Sequence, residues 1–335
     1  MQRFSPASLV SRLGRLATVV SSLGIVVTMA CGDRTGLDYA LTSSRHVGSG
    51  TGTGVGTGIV LFGGFTGDTW SWDGVAWSQH SVPHPPAREG AAMASLGGQA
   101  VLFGGYVPVI EMSDFGDTWN WNGEAWSQTT VSGPSARDGA AMATANNVVV
   151  LFGGSTITGS TSMSDTWTWD GTRWTEQGAS GPGPRSEAAM ASLEGNAVMF
   201  GGFDTGSATT LGDTWTWDGA SWTESLVPGP SPRYSASMAE LGGTVVLFGG
   251  FRAGAQLGDT WVWDGTRWTE QTGSGPPARF SAAMAALNGK VVLYGGAGES
   301  PLGDTWIWDG ATWTAFTGSG PAPRDEACMA TVGGP

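Results

Sequence analysis

The chain has 335 residues, a formal net charge of −13, 13% charged residues, 56 glycines and 18 tryptophans, with Lys290 as its one lysine. Such an acidic chain is a poor match for nucleic acid or anionic lipid, which are bound through clustered positive charge. Few charges and abundant glycine also exclude a protein of surface helices and favour short strands and turns.

In chain order, Arg3, Arg12 and Arg15 precede an apolar stretch, 16–30, that is too short to cross a bilayer comfortably. Residues 1–30 therefore read as a signal peptide for export. Their removal takes away three positive charges and no negative ones, moving the net charge from −13 to −16. Ala30-Cys31 resembles a bacterial lipoprotein cleavage site, which makes Cys31 a lipidation site. A plain signal peptide cut after Ala30, leaving a free Cys31 thiol, is the second reading. Residues 31–57, with the run Gly48-Ser49-Gly50-Thr51-Gly52-Thr53-Gly54, have the composition of a flexible linker. The only other cysteine, Cys328, falls where the other repeats carry Ala or Ser, so a disulfide to Cys31 is not expected.

From residue 58 onward one phrase recurs six times: Asp-Thr-Trp-x-Trp-[Asp/Asn]-Gly-x-x-Trp, at a period of 45–49 residues. It contains all 18 tryptophans, in the sets Trp70/72/77, Trp119/121/126, Trp167/169/174, Trp215/217/222, Trp261/263/268 and Trp306/308/313. Each copy reads as four strands. The first is Arg-x-x-Ala-x-Met-Ala, as in 88–94, and the second is an apolar run closing on an aromatic and two glycines. The third is Asp-Thr-Trp-x-Trp, whose alternation puts two rings on one face. Asp-Gly, or Asn122-Gly123, then turns the chain because these residues accept positive φ. The fourth strand opens with the third Trp.

Six four-stranded units around an axis define an all-β, six-bladed β-propeller, with small Ala residues near the axis and Trp residues in the wider outer wedge. The double glycines after Phe62, Phe103, Phe152, Phe200, Phe248 and Tyr294, each followed by an aromatic pair and a further Trp, resemble the kelch repeat across 58–333. The chain enters the array at a second strand and ends after a first strand, so the last segment is expected to complete the first blade.

Spacing then locates the variable part. The third Trp lies 11 residues before the next Arg, and that Arg lies 15 before the next aromatic of the double-glycine motif. Only the interval from that aromatic to Asp-Thr-Trp changes: 8, 16, 15, 15, 13 and 12 residues. Insertion is confined to the loop between strands two and three, and specificity is expected on that face. It carries Tyr106, Val107, Val109, Ile110, Glu111 and Phe115 from the second copy, with Asp204, Phe251, Arg252 and Glu299 from later ones.

Arg88, Arg137, Arg185, Arg233, Arg279 and Arg324 begin the inner strands in this reading. Two roles stand for them. One is structural, pairing between blades with Asp68, Asp117, Asp165, Asp213, Asp259 and Asp304 or with carbonyls. The other follows from the kelch resemblance, which implies that arginines at such places can line a central pocket for acidic peptides. The residues just after them break the symmetry: Glu89, Asp138, Ser186-Glu187, Tyr234, Phe280 and Asp325-Glu326. Acids on one side, with Tyr234 and Phe280 on the other, suit a sugar or a cationic group.

Enzyme readings are weaker. Copper-radical oxidases of the galactose oxidase type, also kelch propellers, need two Tyr, two His and a cross-linked Cys. His46, His80 and His84 do not supply that set, and Pro83, Pro85 and Pro86 keep His80 and His84 off a helix. Sialic acid mutarotases are exported six-bladed kelch proteins, and paired Arg and Glu near the axis would suit such an epimerase. No cofactor or metal is expected. The expectation is an exported, monomeric binding module for a protein or glycan, touching membrane only through a lipid on Cys31.

Overall fold

Alternation of side chains along each strand builds the blades. In Thr69–Trp72 the rings of Trp70 and Trp72 share one face with Ile59 and Leu61 of the paired strand, while Thr69 faces the other way. The computed structural model describes residues 57–107, 113–159, 161–178 and 180–333, and among them every regular element is a β-strand. Six antiparallel four-stranded sheets result, and the second is typical: Ala92–Leu96, Gln99–Phe103, Thr118–Trp121 and Trp126–Thr129, hydrogen-bonded in that order. The first blade takes its inner strand from the C-terminal end, with Ala327–Val332 paired to Gly58–Gly63 from Gly63↔Ala327 to Gly58↔Val332. The ring is closed as the repeat count required.

Six apolar clusters fill the six interfaces between neighbouring blades. At one of them Trp121 and Trp126 of the second blade meet Val60, Phe62 and Ala330 of the first. A buried Trp shelters about 150–250 Å², on the order of 4–6 kcal/mol of transfer free energy before ordering costs.

The recurring phrase resolves into hydrogen bonds. The first Trp of each set donates its indole N–H to the Asp two residues earlier, as Trp261 Nε1 does to Asp259 Oδ2 at 2.7 Å. The third donates to the Thr of the preceding blade at 2.9 Å in all six copies, from Trp126 to Thr69 through Trp77 to Thr305. The turn aspartates cap their own hairpins, with Asp264 Oδ1 accepting from the amides of Thr266 and Arg267. The double glycine has a steric cause. A Cβ on Gly249, whose φ is +66°, would lie 2.4 Å from the carbonyl oxygen of Arg279 in the next blade. Its neighbour Gly250 donates to that same oxygen at 2.9 Å.

One boundary differs from the sequence reading. The inner strands begin at Ala92 and its counterparts, four residues after the arginine in five blades and three after Arg324 in the first. The main chain at Arg88 is instead committed across the interface, where its carbonyl accepts from Gly64 of the first blade at 3.1 Å.

Candidate functional site

The six arginines form a lock on the face that carries the variable loops. Arg233 is representative: Nη1 donates to Asp259 Oδ1 at 2.6 Å, Nη2 to Asp259 Oδ2 at 2.8 Å, and Nη1 also to Gly249 O at 2.9 Å. The other pairs are Arg88–Asp117, Arg137–Asp165, Arg185–Asp213, Arg279–Asp304 and Arg324–Asp68, at 2.6–2.7 Å. Each Arg is buried and pairs within its own blade, which corrects the expectation of side-chain pairing between blades. The intervals explain why: 25–29 residues separate Arg from Asp in five pairs, one pass through strands one and two. Phe115 of the long second loop lies over Arg88, its ring centroid 3.9 Å from Cζ.

These pairs hold the aspartates ionised. Burial alone would raise Asp68, but hydrogen bonds from Arg324, Thr66 and Trp70 and the Arg324 charge outweigh it and hold its pKa at about 2. Asp117, Asp165, Asp213, Asp259 and Asp304 are shifted the same way, by their own arginines and tryptophans acting against burial.

The axis is lined by other residues. Two cavities, of about 230 and 150 Å³, follow it, and the six methionines Met93, Met142, Met190, Met238, Met284 and Met329 line both. Small residues complete the walls, with Glu240 the one acid in the larger cavity. None of the six arginines lines either cavity. Cys328 lines the smaller one, and burial pushes its thiol up to about 12, so it stays protonated.

Above the lock, the residue two after each Arg joins a closed ring of main-chain hydrogen bonds. Gly90 donates to Glu326, Glu326 to Ser281, Ser281 to Ser235, Ser235 to Glu187, Glu187 to Gly139 and Gly139 to Gly90, at 2.7–3.2 Å. All six have φ between 53° and 63°. Four of them are not glycine, so the ring holds a costly conformation that packing over-determines.

Side chains around this ring differ by sector. On one side Glu89, Asp138, Asp325 and Glu326 gather; the Tyr106 hydroxyl donates to Glu89 Oε2 at 2.6 Å and lies 3.0 Å from Glu326 Oε2. On the other side Phe203, Tyr234, Phe251 and Phe280 stack edge to face or tilted, with successive centroids 5.3, 5.6 and 5.0 Å apart. Glu187 accepts from Ser235 Oγ at their boundary, and burial with the Glu187 charge raises the Tyr234 phenol well above its usual range. Tyr106, Tyr234 and Phe280 are all buried, covered by neighbouring loops. Arg252 and Glu299 are exposed, Arg252 on a two-stranded ribbon formed by Phe251–Arg252 and Ala255–Gln256. Val109, Ile110, Glu111 and Cys31 lie outside the described residues.

One residue escaped the sequence reading. Phe65 follows the first double glycine, at the step held elsewhere by Tyr106, Ser155, Phe203, Phe251 and Ala297. Those five pair in isolated bridges with the residue after the preceding Arg. Phe65 makes no such bridge among the described residues; it is 54% exposed and has φ +75°. The signal available was the first loop's length, the shortest of the six.

A closed ring of six four-stranded blades, locked by Arg–Asp pairs and double glycines, defines a β-propeller of the kelch type. Residues 174–334 match the family model described as the KLHDC2/KLHL20/DRC7 Kelch-repeats domain, and the earlier blades repeat the same unit. The match and the six repeated blades together support a kelch-repeat family for the chain. No curated protein matches it.

Proposed function

We propose that this propeller is an exported interaction module that takes a protein partner on the face carrying the loops between strands two and three. Phe65 carries the reading. An aromatic side chain held outward on a strained backbone, where its five counterparts are tied down by bridges, has no role in packing the blades. The chain's formal net charge of −13 adds a general attraction for basic segments. The chemistry suits a segment presenting an apolar side chain next to a basic one. Export rests on residues 1–30, and a lipid on Cys31 would tether the module to a membrane surface through the linker. Nothing in the geometry favours the sugar-epimerase alternative.

Peptide and glycan arrays probed with the purified chain test this. Peptides pairing an aromatic or aliphatic residue with Lys or Arg should be retained, and retention should fall at least about tenfold for Phe65→Ser, the usual scale of a lost anchor. Peptide binding that survives Phe65→Ser undiminished places the partner elsewhere.

A further inference from the structure

The opposite face, where the short hairpin turns emerge, holds a cavity of about 440 Å³ between the second and third blades. Its wall contains the side chains of Leu96, Gln99, Asn120, Asn147, Trp169 and Asp170. We propose that this cleft is a binding site for a neutral saccharide unit.

Three observations carry it. First, the indole N–H of Trp169 is buried without a hydrogen-bond partner, a donor left unsatisfied until an acceptor reaches it. The Nε1 atoms of Trp121, Trp217 and Trp308 are also unpaired, but of the four only Trp169 borders one of the described cavities. Second, the cleft carries an amide at a step that is a hydroxyl in three other blades (Ser71, Thr168 and Thr216) and apolar in the remaining two. The step held by Asn120 carries Val262 and Ile307 in the fifth and sixth blades, and both pack into the adjoining interfaces. The side-chain amides of Gln99, Asn120 and Asn147 make no hydrogen bond to a described residue, so donors and acceptors line the space above apolar Leu96 and Val101. Third, the one charged group is tied to its own hairpin. Asp170 Oδ1 accepts from the Thr172 and Arg173 amides and from Thr172 Oγ1, while Oδ2 faces Arg173 Nε at 3.4 Å. Amides without net charge around an apolar floor suit hydroxyls and C–H faces, and the volume suits a small ligand.

Why the cleft is open is also visible. Gly97 turns the first hairpin of the second blade, with φ +56° and nothing within 4 Å of a Cβ placed there. One blade further on, the same step is Asn146, with φ 46°, whose Nδ2 reaches Asp218 O at 2.7 Å and bridges the corresponding gap. Gly97→Asn should therefore fold and close the cleft, and Asn120→Ile should fill it.

Glucose, galactose and maltose titrated into the full chain, followed by saturation-transfer NMR and tryptophan fluorescence, test the assignment, with glucosamine and glucuronate as charged controls. At least one neutral sugar should bind saturably. The charged controls should bind more weakly, and Gly97→Asn and Asn120→Ile should each weaken binding about tenfold or more while leaving the urea midpoint near that of the parent. Saturable binding of none of the three at tens of millimolar, or binding indifferent to both substitutions, overturns it. Loss of peptide binding in Phe65→Ser concerns the other face and leaves this result untouched.

Discussion

Phe251 of the fifth blade and Phe65 of the first occupy the same step, directly after a double glycine, and they end in opposite situations. Phe251 bridges to Tyr234, stacks on Tyr234 and Phe280, and is 4% exposed. Phe65 is 54% exposed on a backbone that bulky residues avoid. Below both of them the Arg–Asp lock is the same, Arg233–Asp259 under one and Arg324–Asp68 under the other. The framework therefore repeats independently of the rim it supports, and a rim residue's role cannot be inferred from its place in the repeat.

If the lock is framework, breaking one pair should cost far more than any change at the rim. Arg233→Met leaves the Asp259 carboxylate, which is held by Arg233 and Trp261, without its cation. A loss of about 3–5 kcal/mol in urea unfolding is expected. Arg233→Met with Asp259→Leu should recover much of it, since replacing both partners of a buried pair is often near neutral. A single-variant loss below about 1 kcal/mol would erase the distinction between lock and rim.

Acid should act on all six locks together. Asp68 sits at about 2 in the folded chain against an ordinary value of 3.8, and the other five lock aspartates are also lowered. A depressed carboxylate contributes stability that is complete above the unfolded value and lost as pH falls toward the folded one. The urea midpoint should thus hold steady above about pH 5 and drop between pH 4 and 2. In Arg324→Met the drop should be shallower, because Asp68 then titrates nearer its ordinary range. A midpoint that falls equally steeply in that variant would remove the lock from the acid response.

The framework was legible in the sequence because it repeats. Blade count, the Asp-Gly turns and closure by 327–332 all follow from period and spacing. The partner of each Arg was legible only in kind. Periodicity pairs every Arg with some Asp, but not with the one in its own blade, since that depends on how far the guanidinium reaches past Gly249 O and its equivalents. The rim was the least legible part. Tyr234 and Phe280 read as open pocket walls, yet Phe203 and Phe251 from neighbouring loops cover them. Their burial is a property of several loops at once, which no single copy encodes. Phe65 stayed hidden for the converse reason: its exposure comes from a bridge that its own short loop does not make.

The smallest expected effect is the most informative about the rim. Glycine adopts φ +75° without the Cβ cost that Phe65 bears, and a side chain 54% exposed contributes little packing. Phe65→Gly should therefore be neutral or stabilising by up to about 1 kcal/mol, the strain relief being partly offset by extra freedom in the unfolded chain. At Phe251 the same substitution removes a buried ring and should cost about 3–5 kcal/mol. A protein that keeps a destabilising aromatic at one rim position, where glycine would fit better, retains it for something other than stability. Urea melts of the two variants measure the contrast directly. If Phe65→Gly destabilises as much as Phe251→Gly, Phe65 is a packing residue, and the case for a partner on this face loses its anchor.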